Sequence, residues 1–533
     1  MKRLERLVFP RSQWVNFLII ACLSGAISFL LIGRQAYQAN WGLIDDHEIF
    51  RFLGPSLHLP LSEVWSTLLA KTEVGTLQGR FRPGYYTFKL IETSLWGANV
   101  HLWYLVRTIG FAIFLSSIWW SMRRFAGIWL SGVLTAYISL LPLWADVWSR
   151  LGPSEIYGAV CIGIMVFAAY FIFFSDNYRT RNVSGIALTL ATIALIGMKE
   201  TFIPIAGGTG AVFLLAGVRK KLSLLVITIL MLLVTASLAG IVVIVRKQVL
   251  VSGADFYAKT IELWPVLQFA GKGFLSAIVR TSWLFVIPIL LFGVLHLIPS
   301  KPLGNWITDS SVALGAYGFL VGTYAVQCAL YRSAFPLHLR YDFPAMLLVP
   351  LTGCVLACYV FYTSRPFFSE RATNYAQLAT AVVIVFCFAL GSAWLDSGRA
   401  LSAAIQSNIE TTNRFYHELS LALRAAEKSP ESPIILEAYG PGAYEAVFSL
   451  SIYLPTMGAR NPISVRLHPD EKVKTNGELF DGLQRTLADL EEAGTDALTP
   501  LQNILASHPQ SCISIGINGS PEAGCAGFQV QSP

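Results

Sequence analysis

Asp45, Asp46, His47 and Glu48 follow one another in the stretch NWGLIDDHEIFRFLGP, directly after a long apolar run near the N-terminus. A carboxylate at a membrane boundary is costly once desolvated, so acids placed there mark a functional site by default. Asp45 and Asp46 are adjacent, so on regular structure they point in different directions and at most one faces a given reacting atom. If the segment is helical, Asp45 and Glu48 share a face; the same geometry suits a helix N-terminus with solvated acids. His47, with an acid on each side, raises metal binding. Contiguous ligands rarely converge on one ion, however, and no H-x3-H or C-x-x-C spacing supports them. A divalent cation is the less favoured reading, and no cofactor is expected to be required.

Cations gather further along. GRFRPGYYTFK places Arg80 and Arg82 on either side of Phe81, with Tyr85 and Tyr86 just beyond. Arginine at a membrane edge makes bidentate hydrogen bonds to phosphate that lysine cannot match; the plainer reading is anchoring to lipid headgroups. Arg150, Lys199 and Arg340 fall at corresponding ends of other apolar runs, and the surplus asks for an anionic ligand on that side. Glu155 beside Arg150 reads equally as an ion pair between loops, and Lys199 beside Glu200 as a solvated helix end. Tyr85, Tyr86, Tyr157 and Tyr341 are interface-belt residues first and sugar contacts second.

Apolar helices must position these groups. Of 533 residues, 54% are apolar and 13% charged, with a mean hydropathy of +0.56. A soluble domain carries about 25% charge, so most of this chain belongs in lipid. Its net charge of +7 belongs to loops that set topology or meet lipid phosphate and does not point to nucleic acid. About eleven spans are expected, at 14–33, 102–122, 127–145, 156–174, 183–198, 201–218, 222–245, 279–298, 308–330, 343–363 and 374–396. No cleavage site follows the first run, and Lys2, Arg3, Arg6 and Arg11 hold its start in the cytoplasm. The first outward loop, 35–100, includes PLSEVWSTLLAK, where Leu61, Val64, Trp65, Leu68 and Leu69 make one apolar helical face too short to cross. That helix is expected to lie on the membrane surface.

An odd span count leaves 397–533 outside. Hydropathy falls there, and an amphipathic helix near 398–427 leads into PIILEAYG, a helix, PISVRL, a polar helix, SCISIGI and CAGFQV. Alternating strands and helices predict a small α/β domain. The fold class is thus an α-helical polytopic membrane protein, residues 1–396, with a C-terminal α/β soluble domain. Six of the eight cysteines lie in apolar runs as small hydrophobes. Cys512 and Cys525 lie in the polar part, where a disulfide requires an oxidising compartment.

An acidic pair just after the first membrane helix, opening a large loop with a surface helix, resembles the GT-C superfamily. These are polytopic glycosyltransferases that use polyprenyl-phosphate sugars, among them protein O-mannosyltransferases and the lipid A aminoarabinose transferase. Their loop carries an Asp-Glu pair; here it reads Asp45-Asp46, then His47-Glu48. GRFRPGYY, SRLGPSEIYG, GMKET and LRYDFP resemble further signatures of bacterial members. The likeness covers roughly residues 10–360 and leaves the C-terminal domain outside. It implies an enzyme of a bacterial plasma membrane, with membrane lipid around it and its donor a polyprenyl-phosphate sugar. The acceptor, whether glycan, lipid or protein, stays open.

Such a donor leaves on an already acidic phosphate, which wants cations more than a general acid. The acceptor hydroxyl is a poor nucleophile and wants a base, worth about 10²–10⁴-fold in rate. The resemblance implies Asp45 as that base, with Asp46 or Glu48 orienting it or the acceptor, and direct displacement inverts the anomeric centre. Arg80, Arg82, Arg150, Lys199 and Arg340 are the candidates for donor phosphate; His47, Glu155, Tyr85 and Tyr341 are candidates for substrate contact. The rival from another class is a transporter or flippase for a lipid-linked sugar. Transporters commonly carry paired repeats and ionisable groups within spans, and neither pattern stands out here. A polymerase or ligase acting on whole lipid-linked glycans would place its key loop late in the chain.

Overall fold

The computed structural model describes residues 12–54, 56–76, 81–252, 264–279, 303–331, 339–364, 370–390, 392–439, 443–468, 512–518, 520 and 525–530. Among these, five helices are long and apolar enough to cross a bilayer: Gln13–Ile32, Val100–Ser139, Glu155–Phe174, Glu200–Val218 and Leu224–Lys247. Tyr178–Ile196, Leu303–Tyr331, Ala345–Ser364 and Glu370–Leu390 are helical where further spans are expected. The span expected at 279–298 lies, beyond its first residue, outside the described residues.

The first helix buries a narrow stripe, Asn16, Ile20, Ser24, Ser28 and Ile32. Small residues on it let backbones approach, and Ser28 Oγ donates to Thr108 O at 2.6 Å. The rest faces outward, with Trp14, Phe29 and Leu30 exposed. The run Val100–Ser139 is two segments. At Gly127 φ is +73°, a conformation that glycine alone adopts freely. Nine residues of straight helix span about 13.5 Å, yet Trp119 Nε1 donates to Ile128 O at 2.8 Å. The chain therefore doubles back at Gly127.

The first loop differs from its expected form in two places. Its short helix, Val64–Lys71, does form, but the apolar face is divided: Leu68 is buried while Leu61, Trp65 and Leu69 are exposed. Leu68 fixes the helix to the protein and leaves the other three as an outward row. GRFRPGYYTFK does not run on as a loop. Pro83 opens a 14-residue helix, Pro83–Trp96, because proline suits the first helical position.

The C-terminal part is a four-stranded parallel sheet in the order β2-β1-β3-β4, made of β1 (Ile434–Tyr439), β2 (Ile463–His468), β3 (Ile513–Ile517) and β4 (Ala526–Val530). β1 and β3 are the central strands and read as near-continuous apolar runs, as strands covered on both faces do. The helix Tyr444–Thr456 connects β1 to β2; the polar helix expected before β3 lies outside the described residues. Cys512 and Cys525 form a disulfide at the starts of β3 and β4. The helix Ser392–Lys428 runs without a break through position 396, where the domain boundary was expected. One apolar core continues from Trp41 and Phe50 through Phe111 and Trp144 to Leu436 and Ile515, so the sheet domain is packed onto the bundle.

Candidate active site

The acidic stretch makes a tight turn ahead of a seven-residue helix, His47–Leu53. Asp45 holds φ at +69°, a left-handed conformation uncommon for a residue with a side chain. Asp45 and Glu48 consequently do not share a helical face. Asp46 is 2% exposed, and its Oδ2 accepts from Gly42 N at 2.7 Å. Burial pushes its carboxyl up to about 7; the Gly42 bond and the nearby Lys89 and Arg107 charges pull the other way and lose. Asp46 is therefore the turn's internal acceptor. His47 Nδ1 lies 2.8 Å from Ser449 Oγ, turned toward the sheet domain.

The helix Pro83–Trp96 braces this turn from the other side. Tyr85 OH donates toward Glu48 Oε2 at 3.1 Å and Gly152 O at 3.0 Å. Lys89 is fully buried, and its ammonium donates to Leu151 O at 3.0 Å. Burial lowers its pKa, and the Arg107 charge adds to that; Glu48 and Asp46 oppose. Glu92 takes a bidentate bond from Arg107 at 2.8 and 2.7 Å and a short bond from Tyr157 OH. Lys89, Glu92 and Arg107 are absent from the residues singled out by sequence. An arginine inside the apolar run 102–122 was the available signal, since such a charge needs a partner.

Lys89 and Tyr85 thus fix the loop Leu151–Gly152, and Asp45 lies directly on it. A Cβ built on Gly152 falls 2.3 Å from Asp45 Cβ and 2.6 Å from its Oδ2. Gly152→Ala is expected to push Asp45 off its seat and lower turnover by roughly 100-fold, with the fold retained; steady-state assay beside thermal melting checks this. Normal turnover would show that the turn tolerates displacement.

Arg340, 21% exposed at its side chain, reaches Asp45 Oδ2 at 3.8 Å and Asp146 Oδ2 at 3.6 Å. Burial opposes its charge, but Tyr341, Asp45, Glu155 and Asp146 outweigh that and hold its pKa above the ordinary value. Arg150 pairs with Asp146 at 3.0 Å, one helical turn away. Glu155 does not pair with Arg150. It takes Lys199 Nζ at 2.6 Å, with both side chains buried, because the turn after the helix Tyr178–Ile196 brings Lys199 over the start of Glu155–Phe174. Tyr341 lies beneath both Lys199 and Arg340, its centroid 5.1 and 5.3 Å away. Arg82 stacks over Tyr85 and Tyr86 at 5.2 and 5.3 Å. Arg80 lies outside the described residues. Asp45, Arg340, Asp146, Arg150, Glu155, Lys199 and Tyr341 therefore meet at one end of the bundle, with Arg82 just ahead of the flanking helix.

The buried Asp46 predicts a pH effect. Between 3.8 and about 7 the folded protein holds a proton that the unfolded chain has released, so stability falls as pH rises through that window. Asp46→Asn keeps an oxygen for Gly42 and cannot ionise. Its melting temperature is expected to vary less than that of the wild type between pH 5 and pH 8, and equal slopes would remove the argument.

No protein-family model matches the sequence, and no curated protein matches it. Among solved structures, the chain is similar to the crystal structure of ArnT from Cupriavidus metallidurans bound to undecaprenyl phosphate. The identity is 13%, with 93% of this chain and 91% of that chain covered and a TM-score of 0.42.

Proposed function

We propose that the protein transfers a sugar from a polyprenyl-phosphate donor to an acceptor hydroxyl at the outer face of the membrane, inverting the anomeric carbon, with Asp45 as general base. The observation that carries this reading is the pairing at the bundle end. A carboxylate that is 33% exposed at its side chain sits 3.8 Å from a guanidinium that is itself partly exposed. A base for the incoming hydroxyl and a cation for the departing phosphate are thereby within reach of one anomeric carbon. In the reaction the acceptor oxygen bonds to that carbon, its proton passes to Asp45, and the electron pair of the breaking bond leaves on the phosphate oxygen. Arg340 is the cation nearest the base and meets that charge, with the more exposed Arg150 joined to it through Asp146; Lys199 is held by Glu155 and adds to the local field. The Cys512–Cys525 disulfide supports an oxidising, extracytoplasmic location for the sheet domain.

Purified protein given polyprenyl-phosphate sugars and candidate acceptors is expected to release free polyprenyl phosphate. Intact lipid-linked sugar moving between leaflets without that release would instead make the protein a transporter. Because arginine meets the leaving charge, with Lys199 adding to the local field, we expect turnover to be unchanged by excess chelator; a loss restored by one divalent cation would overturn that part.

A further inference from the structure

We infer that the C-terminal domain is part of the catalytic apparatus: Tyr453 and Ser449, on the helix Tyr444–Thr456, are positioning residues that lock the turn carrying Asp45. This rests on the transferase reading above. Tyr453 is fully buried, and its hydroxyl donates to Gly42 O at 2.7 Å. Ser449 Oγ lies 2.8 Å from His47 Nδ1, also buried. Gly42 and His47 are the two ends of the acidic turn, so one helix of the soluble domain supplies a hydroxyl to each end. The Gly42 unit is thus held on both sides, its N–H by Asp46 and its carbonyl by Tyr453.

The surrounding contacts make this a built joint rather than a chance touch. The Tyr453 ring packs on Phe50 and Phe415 at 4.5 and 5.4 Å, and His47 meets Phe448 edge-on at 5.1 Å. The helix Ser392–Lys428 adds Asn408 to Gln35 Oε1 at 2.9 Å and Asn413 to Gln38 O at 3.0 Å. Thr412 Oγ1 accepts from Asn40 N at 3.2 Å. A left-handed residue other than glycine is strained and persists only where its surroundings over-determine it. On the membrane side Asp45 has the Gly152 surface beneath it and Arg340 at 3.8 Å. Neither contact is to the backbone of the turn, whereas Tyr453 bonds the Gly42 carbonyl directly and adds to the brace that Tyr85 gives Glu48.

The test uses full-length protein in detergent, with hydrogen exchange of residues 40–50 measured beside steady-state release of polyprenyl phosphate. Tyr453→Phe keeps the ring, and Ser449→Ala removes only the hydroxyl. Each is expected to speed exchange of the turn by about tenfold and lower kcat roughly 10- to 100-fold, with KM for the donor within about twofold and β1 and β3 still protected. Ser449→Thr, which restores the hydroxyl, is expected to recover both readouts. Tyr439→Phe removes a hydroxyl bonded to Ser520 O within the same domain and is expected to change neither. Unchanged exchange in Tyr453→Phe overturns the proposal. So does faster exchange with unchanged kcat, or loss of protection in the strands as well as the turn. Wild-type protein that releases no polyprenyl phosphate overturns the transferase reading, and exchange alone then decides whether the joint exists.

Discussion

Asp45→Asn is expected to lower sugar transfer by about 10²–10⁴-fold, the usual contribution of a general base, while the protein stays folded and in the membrane. Asparagine has nearly the same shape as aspartate, so it keeps the packing against Gly152 that a Cβ there would destroy. Arg340 loses one carboxylate but retains Asp146 at 3.6 Å. A partly exposed ion pair contributes about 0–1 kcal/mol, so the cost in stability is small beside the loss in rate. What disappears is the basic carboxylate proposed to take the acceptor's proton. Donor binding is expected to persist, because the cations proposed to meet the phosphate are untouched. Near-normal release of polyprenyl phosphate by this variant would rule out Asp45 as the base.

Glu92→Leu is expected to be the most destabilising single change, by about 3–5 kcal/mol. Arg107 and Glu92 are both buried and joined by two hydrogen bonds at 2.8 and 2.7 Å. Removing one partner of such a pair leaves an uncompensated charge out of water, which is far worse than never having had the pair. Among the described residues Arg107 Nε already lacks a partner, so of the described partners Tyr157 OH at 2.8 Å would remain to the guanidinium. The double variant Glu92→Leu/Arg107→Met is expected to recover most of the loss, since apolar replacement of both partners is often neutral. Thermal unfolding in detergent of the two single variants and the double variant measures the coupling. A Glu92→Leu protein as stable as the wild type would mean that the pair is hydrated. The effect extends to function, because Glu92 shares its helix with Tyr85 and Lys89, which hold the loop beneath Asp45.

The motifs that the sequence offered as one site do meet, but through partners it did not name. SRLGPSEIYG and GMKET are joined by Lys199 and Glu155, 44 residues apart. Local spacing had suggested Arg150 for Glu155 instead, and Arg150 turned out to pair with Asp146. The helix Pro83–Trp96 was hidden because its inward face mixes Tyr85, Lys89 and Glu92 with Leu90. A pattern read by apolarity alone does not count a buried lysine or glutamate as core. The divided face of Val64–Lys71 was hidden for the opposite reason: periodicity shows that residues share a side, not whether protein or lipid covers it.

By itself the sequence determined the membrane class, the positions of the long apolar helices among the described residues and the α/β character of the C-terminal part. Bilayer thickness fixes the length of an apolar run, and strand–helix alternation is written locally. It also marked the acidic turn, because charge at a membrane edge is costly enough to be conspicuous. The tertiary structure decided which acid is exposed and which is buried, which cation each carboxylate meets, and that Tyr453 and Ser449 reach back to the turn. Those are contacts between segments up to several hundred residues apart. They depend on how helices pack, and packing is set by the shapes of whole surfaces rather than by the spacing of residues along one chain.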